Sequence, residues 1–223
     1  MDAPLALSIL GLGALIGCGG AGPGAGGAGL GSEASIYATR LIDYDPGEGG
    51  GFGADRLPGV VLGAPVGRGT NSGSTDVVSL GAGGAIVVGF DAELVDGPGL
   101  DFVVFENAFW ASGDPSAPFT DLGAVALSTD AQSWHELACD LQGDGHGHYP
   151  GCAGWNPVHI YDAARVVPLD PELSGGDAFD LADFGLSRAR FVRVRDLEGK
   201  GEAPIRGFDL DAVGLIHAAE IVR

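Results

Sequence analysis

Short apolar segments, separated by turns rich in glycine and aspartate, recur along this chain and limit the folds that it can adopt. Phe102–Phe105 is apolar at every position, which is typical of a central strand covered on both faces. Phe191–Arg195 alternates instead, with its valines on one face and its arginines on the other. Helical periodicity is scarce, and only Asp180–Leu186 is compatible with a single turn. The pattern predicts an all-β fold, a two-sheet antiparallel β-sandwich of the jelly-roll type with few short helices.

Further strands are predicted where β-branched and aromatic residues lie between turn residues. Asp76–Leu80 and Ala85–Phe90 flank the glycine-rich segment Gly81–Gly84, and this arrangement predicts a hairpin. Residues 34–223 are expected to form one β-sandwich domain, because all-β domains of about 200 residues commonly form a single unit. The other predicted strands are Ser35–Ile42, Gly123–Ser128, Ser133–Leu141 and Leu210–Ile216.

The first 33 residues differ in composition from the body of the chain. Leu5–Ile16 is apolar but too short to span a bilayer, and it leads into Leu15-Ile-Gly-Cys18, which is typical of a bacterial lipoprotein cleavage site. Residues 18–33 are mostly glycine and alanine, as in a flexible tether. The sequence therefore predicts a signal peptide at residues 1–17, lipidation of Cys18, and a mature protein tethered by residues 18–33. An apolar N-terminal strand that happens to contain a cysteine is the alternative.

This N-terminus predicts a location in the bacterial cell envelope, with acyl chains holding the protein to a membrane and its body facing the periplasm or the exterior. The formal net charge of −19, from 30 acidic and 11 basic residues, argues against nucleic acid as a partner, because phosphate binding needs a basic surface. An acidic surface instead favours solubility or the binding of cations.

Two cysteines remain after Cys18. Cys139 and Cys152 enclose twelve residues, and one such pair in an exported protein predicts a disulfide. A Cys/His metal site is the alternative, although two thiols so far apart lack the close ligand pairs of zinc sites. Side chains inside the loop also permit a transition-metal site, but a solvated loop is favoured. These side chains are Asp140, Asp144, His146 and His148.

Carboxylates concentrate in two segments near the C-terminus. Asp177, Asp180 and Asp183 follow one another at a spacing of three, which places them on one side of a helical turn. Asp209 and Asp211 lie on the same side of a predicted strand. Carboxylates this close repel one another unless something neutralises them, and Ca²⁺ does so with six to eight oxygen ligands.

The sequence therefore predicts one structural Ca²⁺ ion. Its predicted ligands are Glu106, Asp177, Asp180, Asp209 and Asp211. The alternative has no ion: Asp180 and Asp209 cap turns, and Asp183 or Asp211 pairs with Arg193 or Arg195.

Trp110 and Trp155 lie in predicted loops, where they could stack on a sugar ring and form a weak ligand-binding site. Large aromatic residues also plug the ends of sandwiches, and this second role is the more common one.

Five motifs occur in order along the body of the chain. They are Val78-Ser-Leu-Gly81, Gly97-Pro-Gly-Leu-Asp101, Phe105-Glu-Asn-Ala-Phe109, Gly175-Gly-Asp-Ala-Phe-Asp-Leu-Ala-Asp183 and Gly207-Phe-Asp-Leu-Asp-Ala-Val213. The set resembles a group of uncharacterised bacterial cell-surface proteins, often found with C-terminal sorting tails, over roughly Tyr44–His217. Such proteins look similar to the galactose-binding-like jelly rolls of discoidin domains and carbohydrate-binding modules. The resemblance implies that fold, with a structural calcium near the sheet edge.

Two functions of different classes remain open. The first is a non-catalytic, lipid-anchored surface module, stabilised by calcium, that binds a glycan or another surface protein. The second is a secreted glycoside hydrolase, which needs two carboxyls flanking a cleft. Glu106, Glu136, Asp101 and the aspartate cluster supply carboxyls for it, but no spacing selects a pair. A purely structural envelope protein is a third, weaker possibility. The sequence favours the first function and no enzyme, because no catalytic constellation is present.

The anchor can be tested in cells through Cys18. Metabolic labelling with palmitate should mark the wild-type chain and leave Cys18→Ser unlabelled, because the predicted acyl chains attach at this cysteine. The label is measured on the immunoprecipitated protein. Equal labelling of the two proteins would contradict the lipoprotein prediction.

Overall fold

The computed structural model of the protein describes residues 35–159 and 169–221. The described residues form antiparallel sheets with only short helical turns, which confirms the all-β sandwich. The predicted signal peptide, Cys18 and the tether lie outside the described residues. In the parts of the chain that are described, no helix has both the length and the apolar content needed to cross a membrane.

The strands are short and are connected by turns, as the glycine-rich sequence predicts. In chain order they are β1 (Arg40–Asp45), β2 (Val78–Ser79), β3 (Ala85–Val95), β4 (Phe102–Glu106), β5 (Phe109–Trp110), β6 (Pro118–Phe119), β7 (Gly123–Ser128), β8 (His135–Glu136), β9 (Cys152–Ala153), β10 (Asp177–Phe179), β11 (Arg188–Asp196), β12 (Asp209–Leu215) and β13 (Ala218–Glu220). The helical turns are α1 (Pro171–Ser174) and 3₁₀ turns at Ala54–Arg56, Gly59–Val61, Ala111–Gly113 and Leu181–Phe184.

Two sheets build the sandwich, and a small hairpin of β5 and β6 lies beside them. The larger sheet has the order β1-β3-β11-β7-β8, with β13 also pairing with β3 and β9 also pairing with β7. The smaller sheet has the order β10-β4-β12-β2. The prediction that Phe102–Phe105 is a central strand is confirmed, since β4 lies between β10 and β12.

The core lies between the two sheets. Phe102 and Val104 of β4 pack in the same apolar cluster as Phe90 of β3 and Val192 of β11. Burying a side chain of this size stabilises the fold by about 1.5–3 kcal/mol. The other face of the smaller sheet carries a second apolar cluster that includes Val103. Both faces of β4 are therefore covered, which explains its unbroken apolar sequence.

The hairpin predicted from Asp76–Leu80 and Ala85–Phe90 is wrong. β2 pairs with β12 in the smaller sheet, whereas β3 pairs with β1, β11 and β13 in the larger one. The intervening Gly81–Gly84 carries the chain from one sheet to the other. Both segments are apolar because each borders the same core, and not because they pair with each other.

Two other predicted strands are placed less accurately. The first strand begins at Arg40 rather than at Ser35, and of the segment Ser133–Leu141 only His135–Glu136 pairs with β7. The predicted turn at Asp180–Leu186 is confirmed as the 3₁₀ turn Leu181–Phe184. The alternation of β11 is also confirmed, with Val192 and Val194 buried.

The two sheets approach each other closely where β7 and β12 begin. A Cβ atom on Gly123 would lie 2.6 Å from the ring of Phe208, so only glycine fits at this point. Asp121 shortly precedes this contact in the chain and Asp209 immediately follows it. Polar side chains from both sheets are thereby brought to one end of the sandwich.

The predicted disulfide is confirmed, since Cys139 and Cys152 are bonded. It closes the segment between β8 and β9, and β9 pairs with the start of β7. The bond therefore holds an otherwise irregular, largely exposed loop against the larger sheet.

Removing this bond should lower the stability of the fold. Cys139→Ser with Cys152→Ser is expected to reduce the free energy of unfolding by about 3 kcal/mol, because the unfolded chain regains the freedom of a short closed loop. Urea denaturation measures the change. As a direct check, thiol counting on unreduced, denatured Cys18→Ser protein should find no free thiol, whereas two free thiols would contradict the bond.

Candidate ligand groove and acidic clusters

Asp177 is buried and holds the chain that follows the disulfide. Its Oδ2 accepts the backbone N–H groups of Gly154 at 2.6 Å and Trp155 at 3.2 Å, and its Oδ1 accepts that of Asn156 at 3.2 Å. Burial raises the pKa of this carboxyl to about 7, while the three N–H donors act in the opposite direction. Its oxygens already have partners, so Asp177 organises a loop.

Asp180 caps the 3₁₀ turn that follows β10. Its Oδ1 accepts the N–H of Ala182 at 2.8 Å, so the capping alternative is confirmed for this residue. Asp180 also lies beside Asp96 and Asp101. Among the described residues, these three form the one acidic or Cys/His group whose ligand atoms all lie within 4.8 Å of one another.

Asp101 is the centre of this group and is fully buried. Its Oδ1 accepts the N–H of Gly97 at 2.8 Å and lies 2.7 Å from Nδ1 of His217, and its Oδ2 accepts the N–H of Leu181 at 2.7 Å. Both oxygens of Asp101 therefore have partners, and they connect the start of β4 to the ends of β3, β10 and β12. Sequence analysis named Asp101 only as a candidate carboxyl and did not indicate its pairing with a histidine 116 residues away.

Asp211 lies in β12, where the pairing with β4 is irregular between Leu210 and Ala212. Both of its oxygens accept the N–H of Val66, at 3.0 and 3.1 Å. Burial raises the pKa of Asp211 to about 8. The alternative in which Asp183 or Asp211 pairs with an arginine of β11 is not supported, because Arg193 and Arg195 instead pair with Glu136.

Glu106 and Asp209 are neighbours, as the sequence predicted. Oε1 of Glu106 accepts the backbone N–H of Asp209 at 3.3 Å. The carboxylate of Asp209 accepts hydrogen bonds from Oγ of Ser79 and from Nδ2 of Asn107. The ends of β4 and β2 thus meet the start of β12.

Asp121 joins this pair, and sequence reasoning did not find it. Burial and the negative charge of Asp209 raise its pKa to about 7, with Lys200 acting in the opposite direction. Burial and the charges of Asp209 and Asp121 raise the pKa of Glu106 well above its usual value. Asp121 stands alone in the sequence, so no spacing could indicate that folding brings it to Glu106.

The five predicted calcium ligands therefore do not form one site. Glu106 and Asp209 lie together, whereas Asp177, Asp180 and Asp211 each have separate partners, for the reasons given above. A single ion held by all five is incompatible with this arrangement. The binding of calcium by the protein stays a prediction.

A groove of about 180 Å³ separates the disulfide loop from β10. Its residues come from the turns before β4, after β8 and around β9, and from the segment Asp177–Asp183. They are Leu100, Leu137, Tyr149, Pro150, Gly151, Cys152, Trp155, Asp177, Ala178, Phe179, Asp180 and Asp183. The groove is smaller than the roughly 300–1,000 Å³ of sites for drug-sized ligands, so it suits a ligand of about one ring.

Two half-buried aromatic side chains and three aspartates belong to the lining of this groove. Nε1 of Trp155 donates to the carbonyl of Cys152 at 3.1 Å, so the disulfide region fixes the orientation of the indole. Tyr149 belongs to the same lining, as do Asp180 and the exposed Asp183. An aromatic face and nearby carboxylate acceptors provide stacking and hydrogen bonding in one place.

Trp110 lies elsewhere. It belongs to β5, and its ring is half-buried with an edge contact to His159, 6.1 Å between ring centroids. In the disulfide loop, Asp144 and His148 form an exposed pair at 2.8 Å, and His148 also lies against Trp155. The two tryptophans predicted to bind a ligand thus do not share a site.

Comparison with known proteins gives no family for this chain. No family model matches it, and a search of curated proteins finds no significant similarity. The resemblance to cell-surface proteins stays a prediction, and the function is argued from the site alone.

The raised pKa of Asp177 predicts a pH-dependent stability. The unfolded chain releases this proton near pH 4 and the folded protein near pH 7, so protonation stabilises the folded state. The contribution of Asp177 is fully present below about pH 4 and decreases by up to about 1.4 kcal/mol per pH unit as the pH rises towards 7. Asp177→Asn cannot ionise, so its free energy of unfolding should fall less steeply between about pH 5 and pH 7.

Urea denaturation at several pH values measures these slopes. Asp144→Asn is the matched control, because hydrogen bonds to its exposed carboxylate lower the pKa of Asp144 and it does not titrate in this range. Its slope should equal that of the wild type. If the free energy of unfolding of Asp177→Asn falls with pH as steeply as that of the wild type, the prediction is contradicted. Asp177 would then be ionised in the folded protein over the whole range, which is the form that its three N–H donors favour.

Proposed function

We propose that this protein is a non-catalytic, lipid-anchored module of the bacterial cell envelope that binds a glycan in the groove between its disulfide loop and β10. The observation that carries the proposal is the juxtaposition of Trp155 and Tyr149 with Asp180 and Asp183 in this groove. A sugar ring has apolar C–H faces and hydroxyl edges. Such a ring can stack on the indole while its hydroxyls donate to the carboxylates.

Preorganisation supports this proposal. Trp155 is held by the hydrogen bond from its indole N–H, by the Asp177 bond to its backbone, and by the nearby disulfide. A binding side chain fixed before the ligand arrives loses little conformational entropy on binding. The rigid loop therefore favours recognition of a small ligand.

The same contacts argue against a glycoside hydrolase in this groove. Hydrolysis requires two carboxyls free to act on either side of a glycosidic bond. Both oxygens of Asp177 accept backbone N–H groups, and Asp180 caps a turn. Carboxylates that already accept backbone N–H groups are poorly placed to donate or accept a proton during hydrolysis, but they can still orient a ligand.

An array of mono- and oligosaccharides, followed by calorimetry on the sugar retained, tests the proposal. Trp155→Ala should weaken binding at least about tenfold, since truncating a central aromatic contact typically costs more than 1.4 kcal/mol. Trp110→Ala is the matched control, because this half-buried tryptophan lies outside the groove, and it should bind like the wild type.

Asp183→Asn provides a second variant if Trp155→Ala is unstable, since Asp183 is exposed and its replacement leaves the core intact. It should also weaken binding. The bound sugar should be recovered unhydrolysed after incubation. An empty array, equal loss in the two tryptophan variants, or cleavage of the sugar would each contradict the proposal.

A further inference from the structure

Three buried oxygen atoms on residues around Asp209 have no hydrogen-bond donor. They are Oε2 of Glu106, Oδ1 of Asn107 and Oδ1 of Asp121. Glu106 is 2% exposed and Asp121 is 7% exposed, so these side chains are more than nine-tenths buried. A buried acceptor without a partner costs about 1–3 kcal/mol, and more if it is charged. All three atoms can only accept, so they cannot satisfy one another while both carboxyls are ionised.

The surrounding chain keeps these oxygens in place. The amide of Asn107 is oriented by the bond from its Nδ2 to Asp209, which leaves its oxygen without a donor. Gly73 packs so closely against the Asn107 side chain that a Cβ atom there would collide with this oxygen. The backbone N–H of Asp209 fixes the other carboxylate oxygen of Glu106. In Glu106 and Asn107, the other polar atom of the same side chain is therefore hydrogen-bonded and fixes the position of the unpartnered oxygen.

Lys200 offsets only part of the negative charge of this cluster. Asp209 and Asp121 act on Glu106 as like charges, and Asp209 acts on Asp121 in the same way. Lys200 is the nearby base, but its Nζ donates to Thr120 and pairs with Glu198 at 2.7 Å. The lysine thus faces other acceptors and offsets the charge of Asp121 only in part.

We propose that Glu106, Asn107 and Asp121 bind one Ca²⁺ ion through these unpartnered oxygens. Calcium takes carboxylate and amide oxygens in an adaptable geometry and supplies positive charge where donors are missing. Glu106 ends β4 of the smaller sheet, and Asp121 comes from the segment entering β7 of the larger one. The ion therefore ties the two sheets together at the end where Gly123 and Phe208 meet. This site is independent of the proposed glycan binding.

The oxygens of Glu106, Asp121 and Asp209 are more widely spaced than those of the other acidic group, so Asp209, whose two oxygens already accept hydrogen bonds, is not a ligand. They do not all lie within 4.8 Å of one another, unlike the oxygens of Asp96, Asp101 and Asp180. That second group is nevertheless the weaker cation site, because both oxygens of its buried member, Asp101, already have partners. Unpartnered buried oxygens, more than proximity of acids, indicate where a ligand is needed.

Calcium titration of the chelator-treated full chain tests the site. Calorimetry should find one Ca²⁺ per chain, and the melting temperature should rise by about 5–10 °C at a hundredfold excess over the dissociation constant. Asp121→Asn keeps the shape of the side chain and removes one repelling charge. Its melting temperature without calcium should equal or exceed that of the wild type, and its response to calcium should be lost.

Glu106→Gln should behave like Asp121→Asn and keeps the test valid if one variant is unstable. Asp180→Asn is the matched control, because it alters the other acidic group, and it should retain the full response. A wild-type melting temperature that is the same with and without calcium would overturn the proposal. A full response in both Asp121→Asn and Glu106→Gln would overturn it too, as would a response lost only in Asp180→Asn.

Discussion

The structure depends on the burial of carboxylates at the ends of strands that enclose a single core. The short strands of the two sheets turn back close to this core, so acids in the turns are withdrawn from water. A carboxyl group in that position must be hydrogen-bonded or paired if it is ionised, and otherwise it is protonated. Asp101, Asp177 and Asp211 solve this problem with backbone N–H donors, and Asp101 also contacts His217. Each of them joins segments that are distant in sequence, so the acids are part of the architecture.

Glu106 and Asp121 differ from these acids because each keeps an oxygen without a donor. Burial without backbone donors thus leaves the unpartnered oxygens on which the proposed cation site rests. The groove proposed to bind a glycan has a different lining, and there Asp177 orders the loop that carries Trp155. Different buried carboxylates contribute to the two proposed sites: Glu106 and Asp121 to the cation site, and Asp177 to the order of the loop that carries Trp155.

Local sequence patterns predicted the parts of the fold that depend on local burial. The apolar run of β4 and the alternation of β11 report directly which faces are covered, and both were interpreted correctly. The Gly81–Gly84 turn was misinterpreted because a hairpin and a passage between sheets require the same local residues: apolar segments on both sides of glycines. Only the pairing of β2 with β12 and of β3 with β11 distinguishes them.

The candidate sites were less predictable for the same reason. Glu106 and Asp209 were grouped correctly, but Asp121 reaches them only through the packing of β7 against Phe208. Asp177 was grouped with Asp180 by spacing, yet its environment is set by three N–H groups more than twenty residues away. Sequence spacing describes neighbours on one element, whereas these contacts arise between elements.

Anomalous diffraction from crystals of the protein soaked with Tb³⁺, which replaces Ca²⁺ at oxygen sites, tests the central claim most directly. We expect one strong peak between the side chains of Glu106, Asn107 and Asp121, where buried oxygens lack donors. A peak at Asp96, Asp101 and Asp180 instead, or the absence of any peak at the end of the sandwich, would contradict it.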